Sequence, residues 1–203
     1  MMITDNPIRL LILFVILAPS IFLGGCFSKD VAPSFYTLAA PQPIEDKTGR
    51  TRNLLLGPIT LAPHLDQPLI AARDEKNKIS YFTLHQWAGR LDRLIGLQLA
   101  NNLENRLSDT TVTLHPARIN GDSGYQVELQ VLQFESVDSK EAVLSVQWQL
   151  RHLRSGKTVA SRLSRIKAPV NGVDTRSLPP SLSFVLEKFS DEISEAYLAI
   201  ETK

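Results

Sequence analysis

Cysteine, aromatic residues and net charge are all scarce in this sequence. The 203 residues include one cysteine and two tryptophans, and aromatic residues make up 7% of the chain. A single thiol cannot form an intrachain disulfide, so the fold does not depend on an oxidising compartment. The formal net charge of +1 lacks the basic excess of a nucleic-acid-binding protein. With no internal repeat or long low-complexity tract, these absences favour one ordinary globular domain.

Residue patterns typical of enzymes are missing as well. Residues 121–124 (Gly-Asp-Ser-Gly) resemble the nucleophile segment of trypsin-like serine proteases, but Tyr125 stands where that motif has another glycine. A polar hairpin turn explains the segment better. The histidines are scattered and no pair has the i, i+4 spacing of a zinc-binding helix; they are His64, His85, His115 and His152. We therefore predict no catalytic site, no metal and no dissociable cofactor.

The single cysteine closes a recognisable N-terminal pattern. Arg9 precedes an unbroken apolar stretch over residues 10–17, and the run Ile-Phe-Leu-Gly-Gly-Cys ends at Cys26. A charged start, an apolar core and Leu-small-small-Cys resemble a bacterial lipoprotein signal peptide. The resemblance implies that residues 1–25 are removed and that Cys26 carries covalent diacylglycerol and an N-acyl group such as palmitate.

Two other interpretations of this N-terminus remain open. A transmembrane anchor needs about 20 apolar residues, and here Pro19, Ser20 and two glycines interrupt the stretch. An ordinary secretory signal needs a small-x-small cleavage site, which residues 19–25 could supply. For a lipoprotein, Phe27 rather than Asp after the cysteine implies the outer membrane, with the domain on its periplasmic face.

The remaining chain divides into a tether and one domain. Residues 26–33 form an acylated tether, whose seven residues beyond Cys26 span at most about 25 Å. Residues 34–203 suit a single periplasmic domain. The domain is therefore expected to stay close to its membrane.

Alternating and apolar runs predict a sheet. Short strands are expected at residues 34–39, 69–73, 78–82 and 110–115, and a longer one over 53–62 with a kink at Gly57-Pro58. Residues 125–137, 144–151 and 159–166 predict an antiparallel meander. Its first strand switches phase near Leu132, which indicates a bulge.

Two segments have helical spacing. Thr83 with Gln86 suggests a capping box, followed by an apolar stripe from Trp87 to Leu107 with Asn101 and Asn102 on the other positions. A last helix is predicted over residues 181–200. The order of strands, helix, strands, helix predicts an α+β fold, a mostly antiparallel sheet with two long helices packed on one face.

A family resemblance rests on residues 65–107. The pattern is Leu-Asp-Gln-Pro-Leu-Ile over residues 65–70, then Arg73, then Trp87-Ala88 and a leucine stripe, with Phe-Tyr-Thr-Leu upstream at 35–38. This resembles the PqiC/YmbA family of ABC-type transport auxiliary lipoproteins. Gln67 departs from the family, which often has arginine before the proline.

The resemblance implies a role in the cell envelope. Such lipoproteins work with periplasmic MCE-domain proteins that carry lipids between the inner and outer membranes, so an MCE protein is the expected partner. Docking that protein and supporting envelope integrity is the implied function, and a homo-oligomer is compatible with it. The alternatives are a stand-alone periplasmic lipid-binding carrier and a structural lipoprotein of another envelope assembly.

A docking surface is predicted within residues 63–77, where apolar and charged side chains alternate closely. The candidate partner-binding residues are Gln67, Pro68, Leu69, Ile70 and Arg73. The competing interpretation is that Pro68, Leu69 and Ile70 pack an edge strand. Trp87 is interpreted as a core residue rather than a partner contact.

Overall fold

The computed structural model describes residues 31–38, 49–117, 124–172 and 175–201. Pro33–Lys203 is one compact unit. Two 3-10 turns, Pro63–Leu65 and Thr175–Ser177, accompany the longer elements. In chain order these are β1 (Ser34–Tyr36), β2 (Arg52–Leu61), β3 (Leu69–Arg73), β4 (Ile79–Trp87), α1 (Leu91–Arg106), β5 (Thr110–Leu114), β6 (Gly124–Val137), β7 (Glu141–His152), β8 (Thr158–Pro169) and α2 (Leu178–Glu201).

Strands β6, β7 and β8 form the predicted antiparallel meander. Apolar side chains pair along it, with Leu129 opposite Trp148 and Val131 opposite Val146. The register shifts between Val131 and Gln133, which confirms the bulge that the change of phase indicated. An extra residue at this point turns the following side chains to the other face of the sheet.

The long strand β6 organises the whole sheet. One of its edges pairs with β7 along its length, and the other edge pairs first with β2 and then, at Ser136 and Val137, with β3. Strand β5 extends the sheet beyond β2, and β4 and β1 extend it beyond β3. The α+β class is confirmed. The sheet is mixed, because β2 runs parallel to both of its neighbours while the longest pairings, in the meander, are antiparallel.

Strand β2 bends inside the sheet. The register with β6 shifts between Leu56 and Ile59, and the Gly57-Pro58 peptide is cis. Gly57 has a φ of 107°, a conformation that residues with a Cβ rarely adopt. Proline lacks the N–H that a central strand needs, so it is accommodated at this irregularity.

The first helix begins seven residues later than the capping box suggested, because its N-cap is Arg90 and not Thr83. Thr83 and Gln86 belong to strand β4, and α1 starts at Leu91 without a side-chain cap. Trp87 ends the strand, where its N–H donates to the Pro68 carbonyl at 2.8 Å. Residues 79–87 therefore gain backbone partners from β3 and β1. The spacing of apolar residues in this short segment does not distinguish a helix from a strand, and the pairing with distant strands favours the strand.

Both helices cover one face of the sheet. Helix α1 packs on β2 and β5, α2 packs on β7 and β8, and the two helices contact each other. Helix α2 begins three residues before its predicted start, with Pro179 and Pro180 in the first turn, where no N–H is needed. Between helices and sheet lies one continuous core that includes Leu99, Phe134, Trp148, Leu182, Phe189 and Ile193.

Helix α1 is buried on more sides than its apolar stripe predicts. Asn101 and Asn102, expected on the outer positions, are buried, as is Gln98. Gln98 Nε2 donates to Asn102 Oδ1 at 3.0 Å, which satisfies part of the polar surface that burial removes from water. The outward placement of these amides was therefore wrong. The reason is that α1 has neighbours besides the sheet: it contacts α2, and Gln98 and Asn101 border a groove that Thr37 and Leu38 line together with β5.

Candidate docking site

The five predicted partner-binding residues lie in one continuous stretch that includes strand β3. They differ sharply in environment. Ile70 is only 1% exposed and belongs to the core, and Leu69 is half-buried. Strand β3 pairs with β4 along its length, and on its other side only Ala72 and Arg73 pair with β6, so Leu69 and Ile70 have a paired strand on one side, as the competing interpretation expects. Packing within the domain accounts for Ile70.

Arg73 is held inside the domain by a buried carboxylate. Its Nε donates to Glu135 Oε1 at 2.6 Å, and the Glu135 side chain is 0% exposed. His64 Nε2 lies 2.8 Å from the other oxygen, Oε2, and donates to it. Both carboxylate oxygens are therefore occupied, which a buried charge requires. We call His64, Arg73 and Glu135 the Glu135 cluster.

The Glu135 cluster joins three separate parts of the chain. His64 lies in the 3-10 turn before β3, Arg73 ends β3, and Glu135 lies on β6. Phe134 belongs to the core on the helix-covered face of the sheet. Because side chains alternate along β6, Glu135 lies on the other face, which the helices do not cover. The turn around His64 covers it there, and Tyr81 Oη donates to the His64 carbonyl at 3.3 Å.

Sequence reasoning missed His64 and Glu135. His64 is one of four scattered histidines, and Glu135 sits in a strand with several other polar residues, among them Gln126, Glu128 and Gln130. One signal in the sequence pointed to Glu135: the change of phase near Leu132, which moves the residues after it to the opposite faces of the sheet. It does not reveal which segment covers them.

Pro68 is the exposed member of the five predicted residues. Its carbonyl accepts from the Trp87 N–H, so the backbone at this point is fixed. Gln67 is half-buried, and its Nε2 donates to the His64 carbonyl at 2.9 Å. Gln67, Pro68 and Leu69 thus lie at or near the surface. Ile70 packs in the core and Arg73 is paired with Glu135, so both support the surface residues from within the domain.

Trp87 is a core residue, as predicted. It is buried and its ring centroid lies 6.1 Å from that of Phe134. Its indole therefore stabilises the end of β4 against β6.

A charged pair stands where α1 begins. Arg90 donates to both carboxylate oxygens of Asp92, at 3.1 and 2.9 Å. This hydrogen bond raises the pKa of Arg90 and lowers the pKa of Asp92, and the charge of Asp66 also contributes to the shift of Arg90. The negative Asp92 in the first helical turn is favourably placed relative to the helix dipole.

The space between the sheet and the helices is filled by side chains. Leu99, Trp148 and Phe189 are buried, and the Trp148 and Phe189 rings meet edge to face at 5.9 Å. A groove of about 500 Å³ lies instead on the surface, between α1 and β5. A stand-alone carrier would need an internal cavity for acyl chains, and the packing of these three residues does not provide one.

Several predicted features fall outside the described residues. Cys26, the signal peptide and the greater part of the turn at 120–124 are among them. Within the described ranges, no helix is long and apolar enough to cross a membrane. In the same ranges, no group of His, Cys, Asp and Glu side chains is arranged to hold a metal ion.

Comparison with known proteins places the domain in context. The model of one protein family, described as the ABC-type transport auxiliary lipoprotein component, matches residues 36–194. No protein with a curated description matches the chain. The family match confirms the resemblance carried by residues 35–107.

Solved structures share the fold. An uncharacterized protein superposes with a TM-score of 0.69 at 18% identity, over 81% of this chain and 98% of its own. The protein XCC0632 from Xanthomonas campestris, of the family DUF330, gives 0.63 at 18% identity over 85% and 99%. The PelC dodecamer from Paraburkholderia phytofirmans is more distant, at 0.44 and 16% identity over 74% and 90%.

Proposed function

The chain belongs to the family of ABC-type transport auxiliary lipoprotein components, and we propose that it is an outer-membrane lipoprotein that docks a periplasmic MCE-domain protein. The observation that carries the proposal is the position of Cys26. It ends a lipoprotein-type signal ten residues before the family domain begins at residue 36. The family comprises transport auxiliary proteins rather than enzymes, in keeping with a docking role.

The anchor acts through the acyl groups on Cys26. Each buried methylene contributes about 0.8 kcal/mol, and two or three chains together hold a protein on a membrane almost permanently. The tether of residues 26–33 keeps the domain within about 25 Å of the bilayer. Because this reach is short, the partner must cross the periplasm, as an MCE assembly does.

The docking contact is made by the exposed part of the β3 region. Pro68 projects from a backbone that Trp87 and His64 hold in place, and Gln67 and Leu69 flank it. A rigid exposed apolar residue contributes contact area at little entropic cost. Ile70 and Arg73 support this surface from within the domain and do not touch the partner.

An experiment in cells tests anchor and docking together. A photo-crosslinking residue replaces Pro68 in the full chain, and a matched chain carries it at Leu163 on β8, which is also exposed. We expect a crosslink to an MCE protein from position 68 and none from 163. In the Cys26→Ala variant we expect loss of palmitate labelling, loss from the outer-membrane fraction and loss of the crosslink.

Two outcomes would contradict the proposal. If Cys26→Ala is still processed and still fractionates with the outer membrane, then Cys26 is not the anchor. If position 68 crosslinks only to other envelope proteins while wild-type anchoring is intact, the docking role is wrong and the structural alternative gains support.

A further inference from the structure

An exposed apolar patch lies where the domain meets its tether. Phe35, on β1, is 63% exposed, and Leu84, on β4, is 41% exposed. Strands β1 and β4 run parallel, with Ser34 opposite His85. Phe35 follows Ser34 and Leu84 precedes His85, so Phe35 and Leu84 lie close together on neighbouring strands. Pro33, also exposed, precedes β1. We call Pro33, Phe35 and Leu84 the β1 patch.

The local structure presents these side chains outward. Among the described strands, β1 pairs with β4 alone and therefore forms an edge of the sheet. The register of β3 with β4 shifts so that Ile70 faces Phe82 while Leu69 faces Gln86. Residues 83–85 are therefore extra relative to β3 and form a bulge in that pairing, and Leu84 lies within the bulge.

Single exposed apolar residues are ordinary, but the position of this group is specific. Phe35 follows Cys26 by nine residues, which span about 30 Å at most. An acyl chain inserted at Cys26 therefore brings the β1 patch within reach of the same bilayer. Burying these side chains in the bilayer would remove them from water. This would stabilise one orientation of the domain relative to the membrane, whereas the acyl anchor alone would let it rotate.

We propose that the β1 patch inserts into the membrane interface and orients the domain with its β1 edge against the bilayer. The proposal rests on the acyl anchor of the proposed function. Only side chains enter the apolar layer, because the unpaired backbone groups of an edge strand are too costly in hydrocarbon. The β1 edge itself therefore lies at the level of the lipid headgroups.

This orientation directs the opposite edge of the sheet away from the membrane. From β1 the strands follow as β4, β3, β6, β7 and β8, and five strand spacings amount to roughly 24 Å. Leu163 on β8 is 68% exposed, similar to Phe35. It is therefore a control for Phe35, of similar exposure, at the far edge of the sheet.

The test uses the full acylated chain in vesicles of phosphatidylethanolamine and phosphatidylglycerol. An introduced cysteine carries an environment-sensitive fluorophore in the variants Phe35→Cys, Leu84→Cys and Leu163→Cys; acylation leaves Cys26 unreactive and is checked by mass. We expect blue-shifted emission and strong quenching by nitroxide-labelled lipid at positions 35 and 84. At position 163 we expect emission as in water and quenching by iodide instead. Equal thermal unfolding midpoints verify that all three variants are folded.

Three results would overturn the orientation. Iodide quenching at position 35 equal to that at 163, in protein that remains on the vesicles, shows that the anchor holds while the patch does not insert. Protection at 35 from both quenchers shows a protein contact in place of lipid. An unmodified Cys26 mass together with loss from vesicles removes the anchor, and with it this proposal.

Discussion

The two halves of strand β6 bury very different side chains. Val127, Leu129 and Val131 face the helices and enter the common core. Beyond the bulge, Glu135 is as deeply buried as these apolar residues, but on the other face. The first half is stabilised by removing apolar surface from water. The second half depends on a carboxylate whose charge is matched by Arg73 and whose other oxygen accepts a hydrogen bond from His64.

Equal burial therefore does not mean that the two halves of β6 are stabilised by the same kind of interaction. An apolar contact is non-directional and tolerates small shifts. A buried ion pair is stabilising only when its geometry is satisfied, and it is strongly destabilising when one partner is lost. The Glu135 cluster therefore makes the backbone around the proposed docking surface depend on three residues that are distant in the chain, His64, Arg73 and Glu135.

The largest effect is expected from Glu135→Ala. It leaves Arg73 and His64 without their carboxylate and opens a cavity, so the free energy of unfolding should fall by about 3 to 5 kcal/mol. Urea unfolding of the variant and the parent measures the difference.

A paired apolar replacement is the control for this prediction. Glu135→Met with Arg73→Met removes both charges and retains volume, so stability should return to near the parental value. If Glu135→Ala costs no more than about 1 kcal/mol, the second half of β6 does not depend on the cluster and the comparison fails.

A smaller loss is expected in the first half of the strand. Leu129→Ala removes buried methyl groups opposite Trp148 and should cost about 2 to 3 kcal/mol, near the lower end for such truncations. Leu129→Met is the control and should cost less than about 1.5 kcal/mol. An equal cost for Met and Ala would mean that side-chain shape, not buried area, stabilises this half.

The smallest effect is expected where a charge pair lies at the surface. Asp191 Oδ1 accepts from Arg106 Nε at 2.6 Å and joins α2 to α1. Burial acts to raise the pKa of Asp191, but the hydrogen bond and charge of Arg106, with the charge of Lys188, hold it below its ordinary value of 3.8. Because both side chains are partly exposed, Asp191→Asn should cost less than about 1 kcal/mol at neutral pH.

The pH dependence of this pair distinguishes it from the Leu129 contact. A lowered carboxyl pKa stabilises the fold above the ordinary pKa, and this contribution is lost as pH falls through the folded-state value. The difference between parent and Asp191→Asn should therefore close in acid, whereas the cost of Leu129→Ala should persist. Chemical unfolding at neutral pH and below pH 3.8 measures both, and a constant difference for Asp191→Asn would contradict this assignment.

The meander and the last helix follow from local pattern. Alternation over residues 125–137 and 144–151 predicted strands, faces and even the bulge after Val131. The apolar stripe of α2 predicted its buried face, since Leu182, Val185, Leu186, Phe189, Ile193 and Ala196 are all buried. Each of these signals is carried by neighbouring residues, because side-chain period is a property of the local backbone.

The candidate site was predicted less completely. The sequence predicts a docking surface within residues 63–77, and that it binds a partner stays a prediction. It groups Ile70 and Arg73 with Gln67 and Leu69, whereas the burial of Ile70 and the ion pair of Arg73 depend on strands β4 and β6. No spacing within residues 63–77 distinguishes a side chain that supports a surface from one that forms it.

By itself, the sequence determined the class of fold, the meander, the last helix and the core positions of Trp87 and Leu99. Only the tertiary structure decided where α1 begins and what surrounds Glu135. The start of α1 depends on pairing of β4 with β1 and β3, and His64 meets Glu135 across 71 residues of chain. Both outcomes are non-local: hydrogen bonds and charges from distant segments outweigh local preferences that differ by less than such contacts contribute.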